Sequence, residues 1–192
     1  MPRSTTTRVC CAATALAAMG APALAQFAGF ADEVAYTTTD ATTDSVLADL
    51  DNDGDLDFAG NSLSDATFDR AVVLLNNGNG TFGAPAFYGV GSSPGHIAAA
   101  DMDLDGDIDL LLSNRDTSDV SLLRNNGNGT FQPEVIIPAG TLPQDIAVGD
   151  FNVDGKPDFV VTNGDVNSHV RVYFGDGSGT NWPAPSIVST QN

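Results

Sequence analysis

An acidic nine-residue stretch occurs three times, and no other feature limits the fold of this chain so tightly. The copies are Asp49-Leu50-Asp51-Asn52-Asp53-Gly54-Asp55-Leu56-Asp57, Asp101-Met102-Asp103-Leu104-Asp105-Gly106-Asp107-Ile108-Asp109 and Asp150-Phe151-Asn152-Val153-Asp154-Gly155-Lys156-Pro157-Asp158. Each places oxygen-bearing side chains at positions 1, 3, 5 and 9 and a glycine at position 6. A short loop wraps a hard cation in this way. Alternate side chains turn inward, glycine permits the sharp bend, and a position-7 carbonyl, from Asp55, Asp107 or Lys156, can join the side-chain oxygens. The donors are all oxygen, with no cysteine or histidine, so calcium is expected rather than zinc or copper. Up to three ions fit this count. A helix-flanked calcium hand is excluded, because it needs a glutamate at position 12, where this chain has Gly60, Leu112 and Val161.

The copies start 52 and 49 residues apart, a period typical of repeat architectures. A second motif travels with the first. Asn76-Asn77-Gly78-Asn79-Gly80-Thr81-Phe82 is matched by Asn125-Asn126-Gly127-Asn128-Gly129-Thr130-Phe131, and Gly175–Trp182 is a third version, one residue longer. Its Asn/Gly content suits a turn with positive φ. Short apolar runs around these motifs give four strands per repeat. The first runs into the acidic loop and is apolar on both faces, as a buried strand should be. The second leaves the loop, the third alternates, and the fourth, among prolines 85, 133, 138, 183 and 185, is an outer edge strand. The repeats span about 44–91, 96–140 and 145–190, and 30–39 reads as an orphan outer strand, because Phe30 precedes Asp49 by the same 19 residues that separate Phe82 from Asp101.

Strand, D-x-D-x-D-G-x-x-D loop, strand, then N-G-N-G-T-F resembles the FG-GAP/VCBS repeat of integrin-alpha-like β-propellers, over residues 30–190. The resemblance implies an all-β fold of four-stranded propeller-type blades, with calcium between the first two strands of each. It places ligands at Asp49, Asp51, Asp53 and Asp57; at Asp101, Asp103, Asp105 and Asp109; and at Asp150, Asn152, Asp154 and Asp158. Propellers of this family usually have seven blades, and closure needs about four or more. Three blades and an orphan strand therefore predict an open or incomplete propeller, with apolar faces exposed on blades one and three and self-association through them.

Residues 1–25 read as a secretory signal. Arg3 and Arg8 precede an apolar run, and Ala23-Leu24-Ala25 precedes Gln26. Both cysteines, Cys10 and Cys11, fall inside it, so the repeat domain, 26–192, would be exported without disulfides. From Gln26 onward there are 25 acids and five bases, a net charge of 5 − 25 = −20. Nucleic acid and anionic membranes are poor partners for such a field, and no later apolar run is long enough to span a bilayer. The expected location is outside the cytoplasm: extracellular, cell-surface or periplasmic.

A catalytic reading finds little support. Loop carboxylates repeated three times resemble ligands more than a glycosidase pair. His96 aligns with Asp44 and Asp145 at a loop entry and His169 with Arg70 and Asp119 at an outward, variable position, so both read as surface residues, and no serine has a nucleophile-elbow setting. The expected function is non-enzymatic: a calcium-binding module for adhesion or recognition of an extracellular protein or carbohydrate. The alternatives are a fragment of a polysaccharide-active propeller enzyme and a structural module of a larger surface protein.

Overall fold

A computed structural model describes residues 34–38, 41–63, 69–164 and 169–189; the signal segment and the front of the orphan strand lie outside these. Twelve strands and no helix occur among the described residues. They are β1 (Ser45–Ala48), β2 (Asp57–Ser62), β3 (Arg70–Leu74), β4 (Ala86–Gly89), β5 (Pro94–Ala100), β6 (Asp109–Asn114), β7 (Asp119–Leu123), β8 (Val135–Pro138), β9 (Pro143–Gly149), β10 (Asp158–Asn163), β11 (His169–Tyr173) and β12 (Ser186–Ser189). They form three four-stranded antiparallel sheets, each in chain order, with no closed barrel. Each sheet is one sequence repeat folded as a blade.

Register explains where the acidic loops fall. Asp57 pairs with Ala48, Asp109 with Ala100 and Asp158 with Gly149, so every loop is the connection between the first two strands of its blade. The Asn/Gly turn joins the third and fourth strands at the same end, where bridges Asn76–Phe82 and Asn125–Phe131 close it. The fourth strands start after Pro85, Pro133 and Pro185, and Pro138 ends β8, so the missing N–H groups fall before or at the end of an edge strand.

Alternating side chains of the second strand serve different neighbours. Leu110 and Leu112 join Leu50, Ala59, Ala71 and Val73 in the core between blades one and two. Leu111, between them, joins Met102, Val120 and Leu122 against Ile146, Phe159, Val161 and Tyr173 of blade three. One strand thus feeds two cores, and β2, β3, β6 and β7 are buried on both faces along nearly their whole length, the third strands included although their sequence alternates.

The innermost strands depart from expectation. They are half open rather than buried: Leu47 of β1 is 56% exposed, and β9 alternates buried and exposed positions. The position shared by Arg70, Asp119 and His169 is not uniformly outward either. Asp119 is buried, and the Arg70 guanidinium lies 5.1 Å from the centre of the Phe87 ring.

A second departure concerns blade one, whose front face is covered. Tyr36 meets Phe82 edge-on at 5.5 Å and its hydroxyl accepts the Phe82 N–H at 2.8 Å. Beneath lie Phe58, Val72 and Leu74, all nearly inaccessible. Tyr88 stands six residues after Phe82, as Tyr36 does after Phe30, and Tyr88 packs on Phe131 of blade two in the same edge-on manner at 5.1 Å. Residues 34–38 therefore occupy the outer-strand seat over blade one, although they form no ladder there.

Tyr36→Ala should lower unfolding stability by about 2 kcal/mol, because it uncovers that cluster as well as removing a ring. Tyr36→Phe should cost about 1 kcal/mol, the loss of one acceptor. Urea denaturation of the two variants checks the order; equal losses would mean that the ring does not cap the blade.

Candidate metal centre

The three loops share one backbone scaffold. At position 1, Asp49 accepts the N–H groups of Asp53 (3.2 Å) and Gly54 (3.0 Å), Asp101 those of Asp105 (3.1 Å) and Gly106 (3.0 Å), and Asp150 those of Asp154 (3.1 Å) and Gly155 (2.8 Å). At position 5, Asp53, Asp105 and Asp154 each accept the position-7 N–H, of Asp55, Asp107 and Lys156, at 2.8–2.9 Å. The bend needs left-handed backbone at both positions 4 and 6. Gly54, Gly106 and Gly155 have φ of 93°, 97° and 81°, and Asn52, Leu104 and Val153 have φ of 61–63°. Asparagine tolerates that conformation, whereas β-branched Val153 is held in it against its preference.

Position 9 ties loop to turn. Asp57 accepts the N–H of Leu50 in its own loop and of Asn76 in the turn; Asp109 does the same with Met102 and Asn125, and Asp158 with Phe151 and Gly175, all at 2.7–2.9 Å. All three carboxylates are fully buried. Burial, foremost, pushes the Asp109 carboxyl up to about 7, although its two N–H donors pull the other way.

Position 3 separates the loops. In loops one and two it brings a third carboxylate in: ligand oxygens of Asp49, Asp51 and Asp57 lie within 4.8 Å of one another, as do those of Asp101, Asp103 and Asp109. One oxygen each of Asp51 and Asp103 is buried with no hydrogen-bond partner. Burial, then neighbouring carboxylates, raises both pKa values; for Asp103 the neighbour is Asp105, partly offset by Arg124 at 3.8 Å. In loop three Asn152 closes the loop on itself, donating to Asp154 Oδ2 at 3.1 Å and accepting its N–H at 3.0 Å. Asp150, Asp154 and Asp158 are not drawn into such a cluster. An orphaned, buried anionic oxygen beside two more carboxylates fits a hard cation. Asp53 and Asp105 lie outside the gathered sets.

The sequence reading missed several contributors. Asn52 reaches from loop one to Asp107 Oδ1 of loop two at 2.7 Å, so the position-7 side chain joins adjacent blades. Asn125 donates to the Leu50 carbonyl (2.8 Å) and to that of Ile108 (2.9 Å), and the N–H of Gly129 also reaches Leu50 O. A cue existed: asparagine repeats at the first turn position. His96, expected at the surface, is half-buried and sits between Asp44 (3.5 Å) and Asp145 (3.0 Å), on the blades either side of its own.

The site and fold define a blade-repeat protein with carboxylate-lined hairpin loops. Residues 101–161, about a third of the chain, match the family model described as FG-GAP-like repeat. The matched span runs from the second acidic loop through most of the third repeat's first hairpin. A mutant Tc holotoxin pore from Photorhabdus luminescens is similar in structure, at TM-score 0.46 and 16% identity over 77% of this chain; the chain spans 7% of that protein's length. No curated protein matches.

The geometry separates two roles by mutation. Asp109→Asn places an N–H against a backbone N–H and should cost about 1–3 kcal/mol in chelator. Asp103→Asn should leave chelated stability unchanged or raised, because it removes an unpartnered anionic oxygen and copies loop three. In chelator the raised Asp109 carboxyl also makes stability fall with increasing pH: the contribution is complete below the unfolded value of 3.8 and is lost as pH rises through about 7. Denaturation of wild type and both variants at pH 5 and pH 8 checks this; a pH dependence unchanged by Asp109→Asn would refute it.

Proposed function

We propose that this protein is an exported, calcium-stabilised binding module that recognises an extracellular protein or carbohydrate and catalyses nothing. The observation that carries the calcium reading is the pair of buried, unpartnered oxygens on Asp51 and Asp103, each beside two further carboxylates. A divalent cation supplies the partner that the backbone does not. It also offsets the repulsion among carboxylates gathered in one loop. The FG-GAP-like match supports a role in binding, and the N-terminal sequence supports export. No helix among the described residues is long and apolar enough to cross a membrane.

On this reading the blades are scaffold and the cation rigidifies their rim. The position-5 carboxylates hold the loop backbone, while Asp49, Asp51 and Asp57 in loop one, and Asp101, Asp103 and Asp109 in loop two, gather oxygens around the ion. Loop three, with an amide at position 3 and Lys156 at position 7, takes the ion most weakly.

Calcium should raise the melting temperature and chelator should lower it. Titration calorimetry should find two comparable sites, on the order of 10⁻⁴–10⁻³ M for a protein working outside the cell, and a weaker third. Asn152→Asp should tighten the third. A melting temperature indifferent to calcium would overturn the proposal, and a third site tighter than the others would overturn the ranking.

A further inference from the structure

Among the described residues the blade-three end of the stack is open, and we propose that it is a self-association surface that pairs blade three with blade three of a second copy about a two-fold axis. The residues concerned are those with which the first two blades meet their successors. At loop position 2, Leu50 and Met102 are fully buried by the following blade, whereas Phe151 is 48% exposed. Ala59 and Leu111 on the second strands, with Ala71, Val73, Val120 and Leu122 on the third, are likewise sealed. Their counterparts on blade three, Val160, Val170 and Val172, are only partly covered. On the outer strand Ile137 is sealed, whereas its counterpart Val188, which pairs with Val170, is 55% exposed. Loop position 4 is exposed in every blade, but Asn52 bonds to the next blade and Leu104, 53% exposed, lies beside Gly177 of the next turn, whereas Val153 is 88% exposed.

The face therefore continues a packing chemistry that the molecule already uses twice. A head-to-tail partner would present the front of its own blade one, but that front is occupied. Phe58, Val72 and Leu74 are buried there, and Tyr36 holds the seat that the outer strand of an incoming blade three would need. What remains for a second copy is its own open face. Back-to-back contact sets valine against valine and is self-complementary, as a two-fold interface must be, and it ends at a dimer rather than a fibre. One blade face is small beside the ~800 Å² per partner of a standard stable complex, so the dimer depends on concentration.

Sedimentation equilibrium on the full chain across a wide concentration range tests this. The expected result is a reversible monomer–dimer equilibrium of the 19.8 kDa chain. Val172→Glu and Val188→Glu should each shift it to monomer, because a two-fold axis brings each new charge close to its own copy. Val188 lies on an edge strand and is exposed, so its substitution leaves the fold intact if Val172→Glu does not. Leu47→Glu, on the open inner strand of blade one, should leave the dimer unchanged. A wild-type monomer at every concentration would overturn the proposal and leave the face to a different partner, such as a further blade. Assembly beyond a dimer, or loss of the dimer in Leu47→Glu, would overturn it in favour of head-to-tail packing.

Discussion

The carboxylate that ends each acidic loop holds the rest of the structure in place. Asp57, Asp109 and Asp158 each take one N–H from the loop that they close and one from the turn two strands away. A buried carboxylate is costly unless its oxygens are satisfied, and here backbone donors satisfy them. The result fixes the loop, the turn and the register of the strands between them as one unit. It also sets an anionic group at the base of the loop with lone pairs to spare. The aspartate that looks like a ligand in the sequence is therefore a backbone clamp first.

That clamp matters because the blades are thin. A single four-stranded sheet buries little by itself, and the two larger cores lie between blades, not within them. Polar links at the rim supplement the apolar packing. Asn61 donates to the carbonyls of Pro94 and Gly95, Ser113 to that of Gln144, and Tyr173 to that of Pro138. Each reaches the start of an inner strand or the end of an outer one on the neighbouring blade. Stability is therefore a matter of nearest neighbours, as in other repeat proteins, and an end blade is held on one side only.

Much of this was legible because the loop is repeated. Three copies of a nine-residue pattern fixed the blade count, the loop positions and the hairpin into which they fall. The sequence pointed to burial on both faces for the first strand, whereas in blades one and two it is the second and third strands that are buried along their length. Less legible was anything set by a blade's place in the row. Leu50, Met102 and Phe151 are equivalent in sequence, yet only the last is exposed, because only it lacks a following blade. Leu47 looks like a core residue and lies half open. The cap by Tyr36 was hidden for a related reason. Its seat shows in the 19-residue spacing, but spacing does not tell which blade a lone strand will choose.

The third loop shows what a single atom changes. Loops one and three have the same glycine, the same position-1 and position-5 bonds, and left-handed backbone at positions 4 and 6. They differ at position 3, where Asn152 has an N–H to give and Asp51 does not. The amide donates to Asp154 and completes a ring of hydrogen bonds within the loop. An ionised carboxylate only accepts, and around Asp51 and Asp103 the loop N–H groups of positions 5, 6 and 7 are already engaged by positions 1 and 5. Their buried oxygens therefore have no neutral solution inside the loop. The choice is to take up a proton, which burial favours by raising the pKa, or to share a cation. Loop three escapes the choice by giving up one charge. The same substitution that makes it self-sufficient makes it the poorer ligand, so stability without an ion and affinity for one pull position 3 in opposite directions.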